Sequence, residues 1–350
     1  MSVILPDFRE ETMTVHPFEK RRIGTTDLEV TTLGLGGASL AGIFTPVPED
    51  QARATGHHAL AMGINYIDTA PQYGLGLSEH LMGEVVRTAT PRPILSTKVG
   101  RLLRPVSPDV QDKGAWAHPL PFAQHYDYSY DGIMRSHEDS LQRLGLDRVD
   151  ILYVHDIGAA THGVEGNVPL WRQLKGGGYR ALRELRDSGA IKAIGLGVNE
   201  WEVLMDAFAL GDWDVFLLAG RYTLLEQTAL SPFMSTCIER KASVVVGGPF
   251  NSGILVGGET FNYAKAPEAV VAKVRAIEAV CHAFDVPLPA AALQFPLTHP
   301  AVCNVLPGPR SPAELDGILN WWNTSIPDAL WTELADRELL APGTPIPGRP

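Results

Sequence analysis

Eight short apolar runs, at residues 32–37, 64–67, 93–97, 149–154, 190–197, 213–219, 243–247 and 302–306, alternate with eight stretches of helical period. The runs are mostly apolar and do not alternate strictly with polar residues, as expected of strands covered on both faces. The helical stretches fall at 48–62, 78–87, 131–144, 172–188, 200–210, 229–240, 269–284 and 313–321. The first opens on Pro48, Glu49 and Asp50, which suit a helix N-terminus, and carries Ala52, Ala59, Leu60 and Met62 as its apolar stripe. Strand and helix in strict alternation predict a parallel sheet wrapped by helices, and eight units over roughly 300 residues match a closed (β/α)8 TIM barrel. The rival on strand count is an open doubly wound sheet. The chain of 350 residues, 45% of them hydrophobic, has material for one large core, and its linkers are too short to separate a second domain. The expected organisation is an N-terminal arm at 1–20, one barrel domain at 21–325 with long loops at its C-terminal face, and a C-terminal tail at 326–350.

Charge and composition remove several classes of function. A net charge of −11 without a basic run argues against a nucleic-acid surface. Cys237, Cys281 and Cys303 are odd in number and widely spaced, so they read as buried fillers and not as disulfides or zinc ligands. The first residues lack the basic start and apolar run of a secretory signal, and no run approaches the ~20 residues that span a bilayer. The expectation is a soluble, cytoplasmic protein that binds a small molecule, with no membrane partner. Nothing in the pattern specifies an oligomeric state.

Three of the runs deliver polar groups at the same end. Residues 64–67 lead into Asp68, with Tyr73 five residues on; 93–97 lead to Lys98; 149–154 lead to His155. A barrel builds its active site at the C-terminal ends of its strands, where all four fall. A phenol titrates near ~10 in isolation. A neighbouring ammonium favours the phenolate, a carboxylate keeps the ammonium charged, and an imidazole can hydrogen-bond a substrate oxygen. This set suits proton transfer at an alcohol or carbonyl oxygen while a hydride moves at the attached carbon, with a nicotinamide cofactor carrying the redox chemistry. Two long connections, 100–130 and 158–168, leave the same end; the first carries Trp116 and His118 and reads as a substrate cover. A metal-dependent hydrolase built from His57, His58, His155 and Asp156 is the enzymatic rival, but no HExxH spacing supports it and no metal is expected.

The segments Ile67-Asp68-Thr69-Ala70-Pro71-Gln72-Tyr73-Gly74, Ser96-Thr97-Lys98-Val99 and Asp150-Ile151-Leu152-Tyr153-Val154-His155-Asp156, with Ser140-Leu141-Gln142-Arg143-Leu144-Gly145 before the last, resemble the aldo-keto reductases in order and element type. The resemblance runs from about residue 22 to 323. It implies that Tyr73 is the general acid–base, Lys98 and Asp68 its tuning partners, and His155 the group that orients the substrate oxygen.

Phosphate binding in a barrel draws on the loops after strands seven and eight and on a helix N-terminus. Those loops are 247–253 and 307–312, so Pro249, Asn251, Ser252, Gly253, Gly308 and Arg310 are the candidate cofactor contacts. The resemblance adds Glu314 on the adenosine side and Asn199 as an amide partner of the nicotinamide. It also marks departures: Gly248 stands where many members carry a stacking aromatic, which Phe250 would have to replace, Ala219 where they carry a glutamine, and Ile318 where they carry an asparagine. NAD or NADP is implied, with NAD favoured. Gly220-Arg221-Tyr222-Thr223-Leu224-Leu225 and the segment 248–255 resemble the branch of bacterial L-fucose and D-threo-aldose dehydrogenases and pyridoxal 4-dehydrogenase. The implied reaction oxidises the anomeric carbon of an aldose to a lactone, with Trp116 and His118 as substrate contacts. The alternatives are oxidation of pyridoxal, reduction of a general aldehyde or ketone, and a non-enzymatic barrel subunit that senses the nucleotide.

Overall fold

The eight apolar runs are eight parallel strands: β1 (Leu35–Gly36), β2 (Tyr66–Asp68), β3 (Ile94–Val99), β4 (Ile151–His155), β5 (Ala193–Val198), β6 (Val215–Ala219), β7 (Ser243–Gly247) and β8 (Val302–Leu306). Hydrogen bonding joins them in sequence order from β1 to β8. Closure comes from residues just before β1, where Leu33 bridges Val305 of β8 and the Gly34 amide donates to the Val305 carbonyl at 3.0 Å. The barrel expectation is met and the open sheet is excluded, because an open sheet leaves its two edge strands apart. The computed structural model describes residues 12–13 and 16–348. Residues 1–11 and 14–15 of the expected arm, and 349–350 of the expected tail, lie outside the described residues.

Two apolar layers follow from the strands. Inside the barrel sit Tyr66, Ile151, Tyr153, Ala193, Val215, Leu217, Val245, Cys303 and Leu306. The N-terminal end is plugged by a hairpin, Lys20–Arg22 with Glu29–Thr31, which inserts Ile23 and Val30 and binds the Ser243 hydroxyl through the Gly24 amide at 2.7 Å. Outside, the helices bury one stripe each against the sheet. Helix α1 spans Glu49–Met62 and α2 spans Leu77–Thr88. Helix α3 (Tyr130–Leu144) starts at Ser129, whose hydroxyl accepts from the Gly132 amide at 3.2 Å, and stops at Gly145 in the left-handed region at φ 61°. Capping and a left-handed glycine supply the orphan backbone groups at its two ends.

The structure departs from the sequence expectation at both long connections. Residues 100–130 contain a β-hairpin, Arg101–Pro105 with Phe122–Tyr126, that rises from the C-terminal end of β3. The expected loop at 158–168 is the first part of a helical segment, α4 (Ala159–Gln173), kinked at Gly163 (φ 70°), which continues through a wide turn at 174–178 into α5 (Tyr179–Asp187). Its polar, glycine-containing sequence hides the helix because α4 buries no residue fully and so needs no apolar stripe. Helices α6 (Glu202–Phe208), α7 (Ser235–Arg240) and α8 (Glu268–Ala283) complete the middle units. Helices α9 (Leu288–Gln294), α10 (Pro312–Trp322) and α11 (Asp328–Asp336) follow, the last burying Leu330, Trp331 and Leu334. Among the described residues no single helix is long and apolar enough to cross a membrane.

Gly195 shows how tightly β5 and β6 approach, since a Cβ there would lie 1.7 Å from the Val215 carbonyl oxygen. The clash is with backbone, which cannot rotate away. Gly195→Ala is therefore expected to destabilise the protein by about 3 kcal/mol, at the upper end of overpacking effects, seen as a lower denaturant midpoint.

Candidate active site

Strand register brings the sequence-predicted side chains together. Asp68 is paired with Ser96 across β2 and β3, and Lys98 is paired with Tyr153 across β3 and β4. Residues two apart on a strand share a face. Ser96 and Lys98 therefore point inward beside Asp68, and Tyr153 and His155 do so from β4. Opposite His155 the partner residue is Gly197, and a Cβ there would come 3.2 Å from Lys98 Cε. The missing side chain leaves room for the lysine stem.

The lysine ammonium donates to Asp68 Oδ2 at 2.6 Å and to the Thr69 carbonyl at 3.0 Å, with about 1% of its side chain exposed. Ser96 Oγ donates to the other carboxylate oxygen at 2.7 Å. The Tyr66 hydroxyl lies 2.9 Å from Ser96 Oγ and 3.2 Å from the Tyr153 hydroxyl, so a chain of hydroxyls leads from Asp68 into the barrel interior. Burial raises the Asp68 pKa and lowers that of Lys98, and each group's charge opposes the shift of the other. Glu79 of α2 supports the strand next to this pair. It accepts from Thr97 Oγ1 at 2.7 Å and from Arg143 Nε at 2.5 Å.

Tyr73 lies in the turn after β2, half-buried, with the Lys98 ammonium 4.6 Å from its ring centroid. Its ring is 5.9 Å from Trp116 on one side and 5.9 Å from His155, edge-on, on the other. Among the described residues its hydroxyl has no hydrogen-bond partner. Burial holds the phenol well above its ordinary pKa, and the carboxylates of Asp68 and Asp156 push in the same direction. His155 is driven well below the ordinary imidazole range by burial and by the positive charges of Arg101 and Lys98. It is a neutral imidazole at neutral pH, and its Nδ1 is buried without a partner.

The four residues thus converge, and the structure adds others around them. Asp156, at φ 47°, pairs with Arg101 at the base of the β-hairpin; Arg101 also donates to Gln124 Oε1 at 2.7 Å and lies over the Tyr126 ring. Arg101 was not singled out in the sequence, and Asp156 appeared as a possible metal ligand and as the last residue of a family-like segment, with no role of its own. Adjacency to Lys98 and His155 was the available signal. Tyr263 caps the far side of the mouth. Its hydroxyl reaches Asn199 Oδ1 at 3.5 Å, and its ring lies 6.2 Å from Phe44. No local pattern marks Tyr263, which sits at the turn of the short hairpin Thr260–Phe261 and Ala264–Lys265.

The substrate candidates separate. Trp116 is buried against Tyr73, whereas His118 is exposed and has no described hydrogen bond or ring contact. His57 and His58 lie on α1, where His58 pairs with Asp316 of α10 at 2.7 Å, away from His155.

The cofactor candidates lie on the expected loops. Asn251 uses its side chain internally, accepting from Thr223 Oγ1 at 2.6 Å and donating to the Gly220 carbonyl at 3.3 Å. Ser252 Oγ accepts from the Tyr263 amide at 3.1 Å. Pro249 is buried, and Phe250 packs edge-on to Trp321 at 5.9 Å, so its ring is engaged with α10. Gly248 and Gly253 both adopt positive φ, and a Cβ at Gly248 would meet nothing within 4 Å. Gly308 approaches the β1–α1 loop so closely that a Cβ would lie 2.4 Å from Ser39 Oγ. At the N-terminus of α10, Ser311 caps the helix and Arg310 is exposed, its Nε 3.2 Å from Glu314 Oε1. Open glycine approaches, a capped helix N-terminus and an exposed guanidinium fit the phosphates of a dinucleotide. Asn199 keeps an amide at the mouth, 3.5 Å from Asp156 Oδ1.

A model of the aldo/keto reductase family matches residues 32–337. The chain is 45% identical over 337 residues to pyridoxal 4-dehydrogenase of Microbacterium luteolum, covering 92% of this chain and 98% of the relative. It is 37% identical over 325 residues to D-threo-aldose 1-dehydrogenase of a Pseudomonas species, covering 89% and 95%. Among solved structures, an aldo-keto reductase from Bacillus halodurans in its holo form superposes with a TM-score of 0.70 at 24% identity, covering 93% of this chain and 97% of that one.

Lys98→Met would leave the Asp68 carboxylate buried without its cation. Removing one partner of a buried pair is expected to destabilise the protein by about 3–5 kcal/mol, measurable by urea unfolding. Lys98→Met combined with Asp68→Leu, which removes both charges, should recover part of that loss.

Proposed function

This chain belongs to the aldo/keto reductase family and is an NAD(P)-dependent oxidoreductase, and on that premise we propose that it oxidises a cyclic aldose of the L-fucose or D-threo type at its hemiacetal carbon. The product is the lactone. The observation that carries this reading is the Tyr73 hydroxyl, without a hydrogen-bond partner among the described residues, between Trp116 and His155 with the Lys98 ammonium against its ring. In the oxidation the C1 hydroxyl gives its proton to Tyr73 as the C1–H bond breaks. A nicotinamide held by the residues named below would supply the hydride acceptor for C1. Lys98, kept charged by Asp68 and the Thr69 carbonyl, stabilises the phenolate that precedes the transfer. His155, as a neutral imidazole, donates one hydrogen bond to the substrate oxygen. Trp116 offers an apolar face to one side of a sugar ring.

A second reading is oxidation of pyridoxal, favoured by the 45% identity to the pyridoxal enzyme. Pyridoxal carries an aldehyde and a hydroxymethyl group on adjacent ring carbons and closes to a cyclic hemiacetal. The two readings therefore share a reaction, hemiacetal to lactone, and differ only in what surrounds the reacting carbon.

For the cofactor we propose Asn199, Pro249, the backbone of Asn251, Ser252 and Gly253, and Gly308, Arg310 and Glu314 as the holding residues. NAD is preferred over NADP. Glu314 engages Arg310 and sets a carboxylate where a 2′-phosphate would approach, whereas a ribose diol donates to a carboxylate.

The test is reduced-nicotinamide absorbance with NAD⁺ and NADP⁺ in separate wells against L-fucose, D-arabinose, L-galactose, L-rhamnose and pyridoxal. Signal with NAD⁺ and the L-fucose-like sugars is expected. Signal with pyridoxal alone transfers the assignment to the second reading, and reduction of simple aldehydes without either overturns both. Tyr73→Phe should retain NAD binding by calorimetry and lose at least about 100-fold in turnover, the usual contribution of an acid–base group. The pH dependence has a definite sign. Oxidation needs the phenolate, and the surroundings of Tyr73 hold its pKa above about 10. The oxidation rate should therefore rise with pH through 7 to 9 without a plateau, while reduction, which needs the phenol, stays flat over that range.

A further inference from the structure

Arg101 and Asp156 form an ion pair that no barrel element requires, placed against the reacting groups. Arg101 is 3% exposed and Asp156 13%, so both charges are largely out of water. Withdrawing such charges is expensive, and a pair of this kind is weak as a source of stability. The geometry at Asp156 is specific. The residue takes φ 47°, a left-handed conformation that Asp tolerates better than most side chains. Its amide still donates to the Gly197 carbonyl at 2.9 Å, which extends the β4–β5 ladder by one residue while the chain turns. The turn brings carboxylate oxygen Oδ2 to 3.6 Å from His155 Nε2 and to the Arg101 guanidinium. The second oxygen, Oδ1, has only a long contact, 3.5 Å from Asn199 Nδ2. A carboxylate oxygen accepts two hydrogen bonds. Oδ1 therefore has acceptor capacity left, facing the mouth between His155 and Asn199. Arg101 also has a donor to spare, because its Nε is buried without a hydrogen-bond partner among the described residues. The guanidinium is held from two other sides, by Gln124 and by the Tyr126 ring, so the carboxylate it binds has little freedom to move.

We infer that Asp156, held in place by Arg101, accepts a hydrogen bond from a substrate hydroxyl next to the reacting carbon and so selects hemiacetals that carry one. In an aldose this is the C2 hydroxyl. In pyridoxal it is the phenol beside the carbon that bears the aldehyde. Asp156 is the contact and Arg101 the positioning residue. The inference rests on the hemiacetal-oxidation reading and extends it from the reaction to the recognised group. The competing account is that the pair merely ties the β-hairpin to the barrel, in which case the identity of the substrate's neighbouring group would not matter.

The experiment compares kcat/KM for L-fucose with that for 2-deoxy-L-fucose, and for pyridoxal with that for 3-deoxypyridoxal. It uses the wild type, Asp156→Asn and the double variant Asp156→Gly with Arg101→Gln. Asparagine and glycine both accept the left-handed backbone, and the double variant leaves no unmatched charge. Calorimetric NAD binding reports whether each variant retains its fold, and Asp156→Asn alone decides the question if the double variant does not. A hydrogen bond to a charged acceptor corresponds to a preference of about 10- to 100-fold. The wild type is expected to prefer the hydroxylated member of whichever pair it oxidises by that factor. In the double variant the ratio should collapse toward one, and in Asp156→Asn, whose amide oxygen is a neutral acceptor, it should fall at least about 3-fold, with the loss appearing in KM for the hydroxylated substrate. A ratio that stays at its wild-type value while both members slow equally would overturn the inference and leave the pair as a tether. So would a wild type that does not discriminate within the pair. Oxidation of pyridoxal with no sugar turned over would remove the aldose reading, with the inference then judged on the pyridoxal pair. Activity confined to simple aldehydes that lack a neighbouring hydroxyl would overturn the reading and the inference together.

Discussion

A lysine ammonium and a carboxylate, 2.6 Å apart and almost without exposure, sit where the second and third strands of the barrel end. Neither charge would survive there alone. Burial pushes Asp68 toward its neutral acid and Lys98 toward its neutral amine, and their contact opposes this, helped at the carboxylate by Ser96 and at the ammonium by the charges of Asp156 and Glu79. The rest of the site depends on the pair. It brings a cation to one face of Tyr73, depresses the basicity of His155, and connects through Ser96 to the buried hydroxyls of Tyr66 and Tyr153. A parallel barrel suits this arrangement because each strand can contribute one side chain to the same rim, positioned by a ladder that does not yield.

That rim carries a second charge pair, Arg101 with Asp156, built differently. The first joins two neighbouring strands, whereas the second joins a strand end to a hairpin outside the sheet. Both carboxylates act on Tyr73, and both cations act on His155. The phenol and the imidazole are each kept neutral in the protein without ligands. A neutral phenol and a neutral imidazole can both donate hydrogen bonds to an arriving oxygen. A positively charged oxidised nicotinamide would favour the phenolate by the same electrostatics.

Much of this was legible in the sequence, for reasons that can be traced to particular residues. The strand runs are short and apolar on both faces, so 243–247 and 302–306 coincide with β7 and β8 at both ends. Asp68, Lys98 and His155 each terminate such a run, and the fold places strand ends together, so their convergence needed no knowledge of register. Tyr73 was harder, since it stands five residues beyond its strand, and its resemblance to a family motif identified it. Helix α4 escaped because an exposed helix has no apolar period to read. The hairpin at 101–126 escaped because its strands mix polar and apolar residues and their pairing joins positions 17 to 25 apart. Phe250 shows what the sequence left open, since its position in the loop after β7 is as expected while the packing of its ring, edge-on to Trp321, is a tertiary contact.

The sequence by itself determined the architecture, the three polar strand-end groups Asp68, Lys98 and His155, and the class of chemistry they permit. These follow from hydrophobic period and chain order, which are local properties written in consecutive residues. Tertiary structure alone decided how the charges are balanced, that Arg101 finds Asp156, that Tyr263 reaches Asn199, and that the Asn251 side chain is already engaged by Thr223 and Gly220. Each of those is a contact between distant segments whose strength depends on burial and angle. Electrostatic energy varies with distance and with the exclusion of water, and neither quantity exists until the chain has closed on itself.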